Sequence, residues 1–150
     1  MQQVFSILIS FGLSIVVWAG ETISEGQLAK GTKWETPFYV RVNGQDGPTV
    51  VITGGIHGNE PAGVRAAEQI RHWPITCGRL VVIPQANIPG LRDGTRFLPG
   101  EPPSRRDLNR QFPKTKMAAE AHGVLGKELW KFIGDQNPDW MIDLHEGYDF

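Results

Sequence analysis

The stretch Thr49-Val50-Val51-Ile52-Thr53-Gly54-Gly55-Ile56-His57-Gly58-Asn59-Glu60-Pro61 decides how this 150-residue chain is read. Its first five residues form a β-branched run without alternation, the pattern of a strand buried on both faces. Gly54-Gly55 ends that run. After Pro61, Val64, Ala67 and Ile70 recur at helical spacing to about Trp73, where Pro74 stops the period. Strand, polar glycine-rich turn and helix, in that order, open an α/β unit.

Working outward, Leu80 to Pro84 is a second buried strand, and Trp140 to Leu144 a third core strand introduced by the breaker Pro138. Between them Met117 to Ile133 reads as a helix, with Ala118, Ala121, Leu125, Leu129 and Phe132 on one stripe. Upstream, Phe38 to Val42 alternates as a strand closed by the turn Asn43-Gly44, and residues 20–37 are polar enough to be a linker or an extended lead-in. Residues 86–113 show no period and are dense in Gly, Pro and Arg; a loop that long is usually functional or a lid. The order predicts an α/β fold, with a mainly parallel or mixed sheet and helices on both faces. Ligands of such sheets sit at the carboxyl ends of the strands. Three polar clusters fall there: Gly54 to Glu60, the residues from Asn87 onward, and His145.

Composition narrows the function. With 15 basic and 16 acidic residues the net charge is -1, which gives no electrostatic case for a nucleic-acid partner. The single cysteine, Cys77, rules out an intrachain disulfide framework and a cysteine-rich zinc site, and nothing near it in sequence would activate it. Residues 4–19 are almost wholly apolar, and the first charged side chain is Glu21. Residues 1–19 are therefore read as a secretory signal, although Met1-Gln2-Gln3 lacks the usual basic start. An uncleaved membrane anchor and a buried element of the domain are the competing readings. The first implies an exported, periplasmic or secreted protein, with a membrane attachment only if the segment is retained.

The turn from Gly54 to Pro61 could cradle a phosphate, but it lacks the Lys-Ser/Thr pair of a P-loop and the spacing of a dinucleotide fingerprint. As a metal site it has better chemistry. His57 offers an imidazole and Glu60 a carboxylate, with Gly58 allowing the backbone to turn tightly between them. His145, at another strand end, supplies a third ligand. Two His and one carboxylate is a common set for one catalytic zinc ion, with a fourth position left for water. Asp143 lies two residues earlier on the same side of its strand and could orient an imidazole, or could make a plain strand-end hydrogen bond. Glu146 points to the opposite face if the strand continues, so it is not assigned as a base. His72 and His122 lack ligand-like neighbours and read as surface histidines.

The second cluster, Asp107-Leu108-Asn109-Arg110, follows Arg105-Arg106 in the long loop. Its bland reading is a solvated basic loop with Asp107 capping a helix. Its functional reading is a set of Asn and Arg donors, whose forked guanidinium matches a carboxylate. Arg96 adds a further guanidinium to the loop.

His57-Gly58-Asn59-Glu60, Asp107-Leu108-Asn109-Arg110 and Asp143-Leu144-His145, in that order, resemble the succinylglutamate desuccinylase/aspartoacylase family, relatives of the zinc carboxypeptidases. The likeness spans about Thr49 to His145. It implies that His57, Glu60 and His145 bind zinc, that Asn109 and Arg110 hold a substrate carboxylate, and that Arg96, rather than Arg92 or Arg105, polarises the scissile carbonyl. The family's general-base glutamate comes from a later strand, and residues 38–150 are accordingly read as the N-terminal part of a catalytic domain. The expected activity is zinc-dependent hydrolysis of an N-acyl amino acid bearing a free carboxylate. A carboxypeptidase-like action on peptides or cell-wall peptides, and a non-catalytic metal-binding module, are the alternatives.

Overall fold

A computed structural model describes residues 5–9, 13–18, 20–114 and 120–147. In chain order its elements are strands β1 (Phe5–Ile9), β2 (Leu13–Trp18), β3 (Glu21–Leu28), β4 (Thr36–Asn43) and β5 (Thr49–Gly54), helix α1 (Pro61–Ile70), strand β6 (Arg79–Ile83), the short helix α2 (Ile88–Arg92), a 3-10 turn at Leu108–Arg110, helix α3 (Val124–Asp135) and strand β7 (Trp140–Leu144). The seven strands form one mixed sheet in the order β1-β2-β3-β4-β6-β5-β7. Neighbours from β1 to β4, and the β4–β6 pair, run antiparallel; β5 runs parallel to both β6 and β7. The three parallel strands therefore end on the same side of the molecule, and the polar clusters follow those ends.

Alternation along the central strands divides the core. Ile52, Leu80 and Val82 face α1, where Ala67 is fully buried and Ile70 packs beside it. Val51 and Val81, together with Val40, face the other way toward Phe132 and Ile133 of α3. Helices thus cover both faces, and the burial of β5 on both sides is what its unalternating β-branched sequence predicts.

Four local expectations need correction. Residues 21–28, read as a linker or an extended lead-in, are the latter in its fullest form, a strand paired over its whole length with β4. Its polar residues hid it, yet Gly26 is fitted to the pairing: a Cβ there would meet the Phe38 ring at 2.6 Å. The helix read from Met117 begins at Val124 instead. Gly123 sits at φ 66° and the His122 N–H donates to the Gln111 carbonyl, so the backbone is turned out of helical geometry just before it; Met117 and Ala118 lie outside the described residues. Strand β7, expected in the core, is at the sheet edge, paired with β5 alone among the described strands, and Trp140 is 67% exposed. The fourth concerns Gly58: it is wanted for room and not for a turn, since a Cβ would lie 2.0 Å from the Gly90 carbonyl carbon. The left-handed residue of that turn is Gly55, at φ 72°.

Residues 5–9 and 13–18, set aside in the sequence, are strands that continue the sheet beyond β3. Among the described residues no helix is long and apolar enough to cross a membrane.

Close backbone contacts fix α1 on the sheet. A Cβ at Gly63 would lie 2.3 Å from the Leu144 carbonyl oxygen, and one at Gly54 would lie 2.7 Å from the Gly63 carbonyl oxygen. Gly63→Ala is therefore expected to destabilise the fold by about 1–3 kcal/mol, as overpacking does. Gly134→Ala, which meets nothing within 4 Å, should be neutral or slightly stabilising. Urea denaturation of the two variants checks this; equal midpoints would mean that α1 can shift off the sheet without cost.

Candidate metal centre

Burying a carboxylate is costly unless hydrogen-bond donors surround it. Glu60, only 5% exposed at the mouth of α1, is surrounded. Its Oε1 lies 2.7 Å from His57 Nδ1 and accepts from an Arg96 guanidinium nitrogen at 3.0 Å. Its Oε2 lies 2.7 Å from His145 Nδ1 and accepts from the Glu146 backbone N–H at 3.1 Å. One side chain thereby gathers groups from the β5–α1 turn, the long loop and the end of β7. The ligand atoms that His57, Glu60 and His145 could offer a metal ion all lie within 4.8 Å of one another. The two imidazole rings face each other at 4.8 Å between centroids.

The far nitrogens of both rings are also held. His57 Nε2 lies 3.3 Å from Asp107 Oδ1, and His145 Nε2 lies 2.8 Å from Asp143 Oδ2. An imidazole with one nitrogen on a carboxylate keeps its other nitrogen directed and basic, the usual support of a metal-binding histidine. Donor chemistry, convergence and outer contacts all fit a single metal ion.

The structure brings Arg96 and Asn109 to the group formed by His57, Glu60 and His145. Asn109 Nδ2 reaches 3.5 Å from His145 Nε2. Asp107 does what its bland reading predicted, accepting from the Asn109 N–H at 3.0 Å, and it contacts His57 with the same oxygen. Arg110 is placed differently. It donates to the Asn109 carbonyl oxygen and lines a neighbouring cavity with Ser104, Arg105 and Lys127, without a bond to His57, Glu60 or His145. Arg92 is exposed and paired with Asp93. The Glu146 carboxylate accepts from the Ala62 N–H at the start of α1, a structural contact. His72 and His122 stand outside the cluster. Sequence reading missed Thr53, whose buried hydroxyl donates to Asp143 at 2.6 Å, because in a β-branched run it looks like one more core residue.

Burial alone would push the Glu60 carboxyl up; the Glu146 N–H, the two imidazole hydrogen bonds and the charge of His57 outweigh it and hold the group below its ordinary 4.5. Burial would likewise push His145 down, but hydrogen bonds and charge from Glu60 and Asp143 raise it above its ordinary 6.5. A depressed carboxyl stabilises the fold above its unfolded pKa and loses that contribution as pH falls through the folded value. A raised imidazole stabilises below its unfolded pKa and loses that contribution as pH rises through the folded value. Both contributions are present together between 4.5 and 6.5. In chelator-treated protein, the stability gap between the parent and Glu60→Gln should be widest in that window and narrow on either side. Urea midpoints across the pH range test it, and a gap independent of pH would remove this pairing from the account.

Comparison with known proteins agrees with this architecture. The model of the succinylglutamate desuccinylase/aspartoacylase catalytic domain matches residues 46–149. An N-alpha-acetyl-L-2,4-diaminobutyric acid deacetylase of Halomonas elongata is 34% identical over 105 residues, covering 68% of this chain and 29% of that protein. A succinylglutamate desuccinylase of Photorhabdus laumondii is 28% identical over 140 residues, covering 83% of this chain and 40% of that one. The chain thus spans well under half the length of these relatives. Among solved structures, an aspartoacylase family protein of Mesorhizobium loti superposes with a TM-score of 0.64 at 25% identity, over 91% of this chain and 44% of that chain. Since the matched segment carries all three parallel strands and every side chain gathered by Glu60, the chain belongs to the succinylglutamate desuccinylase/aspartoacylase family.

Proposed function

We propose that this chain carries the metal centre of a zinc-dependent deacylase that hydrolyses the amide bond of an N-acyl amino acid with a free carboxylate. What chiefly supports the reading is the buried Glu60 carboxylate with His57 Nδ1 and His145 Nδ1 each 2.7 Å from its oxygens. The deacetylase and desuccinylase named among the relatives support the amide class.

In this reading His57, Glu60 and His145 hold one zinc ion. Zinc, when bound, supplies Lewis acidity, activating water near neutral pH and polarising a carbonyl. The remaining chemistry belongs to side chains. Arg96, within reach of Glu60, donates toward the carbonyl oxygen as negative charge develops there; a comparable donor elsewhere is worth about 3–4 kcal/mol. Asn109 orients the substrate beside His145. Arg110 takes the substrate carboxylate, for which its guanidinium turns from the neighbouring cavity toward the ligands. Asp143 and Asp107 keep the two imidazoles in place. Glu146, engaged at the start of α1, is not assigned as the proton acceptor.

Equilibrium dialysis against zinc should give one equivalent bound per chain, lost in His57→Ala and Glu60→Ala; no uptake by the parent would end the zinc assignment. Zinc-loaded protein titrated by NMR should bind an N-acyl amino acid, and Arg110→Ala should weaken that binding about ten- to a hundredfold, the value of a charge-assisted hydrogen bond. The methyl ester of the same compound should be unaffected. Equal losses for acid and ester would remove Arg110 from carboxylate binding.

A further inference from the structure

We infer that Thr53 is a positioning residue of the metal centre: its hydroxyl locks the Asp143 carboxylate, which in turn holds the His145 ring by Nε2 and leaves Nδ1 turned toward Glu60. The inference rests on the zinc reading above and adds to it a residue that touches neither metal nor substrate.

The contrast between the two strands carries the argument. Thr53 is 1% exposed on β5, which has β6 on one side and β7 on the other. Asp143 is its in-register partner on β7, at the edge of the sheet, where Trp140, Met141 and Ile142 are all exposed. The Asp143 side chain is itself 30% exposed. An aspartate whose side chain is 30% exposed keeps rotamer freedom unless something removes it. Here the buried hydroxyl does so, donating to Oδ1 at 2.6 Å while Oδ2 lies 2.8 Å from His145 Nε2.

Donor and acceptor roles then follow from chemistry. An ionised carboxylate only accepts hydrogen bonds, so Thr53 is the donor at one oxygen and His145 Nε2–H the donor at the other. With Nε2 held on Asp143, the ring presents Nδ1 to Glu60 at 2.7 Å. Valine has nearly the same shape and the same preference for a strand, so packing alone does not ask for threonine at this position. The hydroxyl is what distinguishes them, and Asp143 is its partner.

Three proteins test this: the parent, Thr53→Val, which replaces the hydroxyl with a methyl, and Thr53→Ser, which keeps the hydroxyl. Zinc affinity is read by competition with a chromophoric chelator. Thr53→Val should bind zinc about tenfold more weakly, in the range seen for outer partners of metal-bound histidines, and Thr53→Ser should stay within about threefold of the parent. Parent-like affinity in Thr53→Val overturns the inference, and so does an equal loss in both variants, which would assign the effect to packing. A second measurement needs no variant. Nitrogen-15 NMR of the zinc-loaded parent should show the His145 proton on Nε2; a proton on Nδ1 overturns the inference even if Thr53→Val fails to fold. A parent that takes up no zinc at all sinks the functional reading and this inference with it, whereas normal zinc binding by parent and Thr53→Val alike sinks the inference alone.

Discussion

A carboxylate taken out of water must be given donors, and the Glu60 side chain takes its four from parts of the chain that are far apart in sequence. His57 comes from the same turn, Arg96 from the long loop, and His145 and the Glu146 N–H from the end of β7. Removing any one leaves a buried charge less compensated, so the turn, the loop and the strand end are tied to a common point. The rest of the architecture serves that point. The parallel trio β6-β5-β7 brings the segments to one side of the sheet, and α1 lies across β5 and β7 so that its first turn reaches both.

The same gathering explains the electrostatics. Each imidazole stands between Glu60 and a second carboxylate, Asp107 for His57 and Asp143 for His145. Burial works against both charged groups, yet hydrogen bonds and charge from Glu60 and Asp143 raise His145, and the Glu146 N–H and the two imidazoles lower Glu60. A divalent cation meets the same demand with a concentrated charge.

Much of this was legible in the sequence because it depends on local patterns. Two-sided burial marked β5 and β6, and a strand-to-helix turn with His57 and Glu60 three residues apart marked the centre. His145 was singled out because it closes a short apolar strand at another strand end. What was not legible depends on pairing at a distance. β3 is polar and shows itself only through its pairing with β2 and β4, and the start of α3 is set by the Gln111 carbonyl that captures the His122 N–H. The exposure of β7 depends on which strands lie beside it, and the link from Asp107 to His57 spans 50 residues of chain. Thr53 was hidden for a different reason: in a run of β-branched residues, a hydroxyl that acts and a methyl that packs look alike.

At Gly54, Gly58 and Gly63 main chain rests directly on main chain, with no space for even one added carbon. Such junctions have no side chain that could swing aside, so the separation between the His57–Glu60 turn and the strand end bearing His145 is set by the hard radii of peptide atoms. Efforts to retune this pocket will find more freedom in the arginine-bearing loop than in the platform beneath it, and divergence among related proteins should be concentrated in the same place.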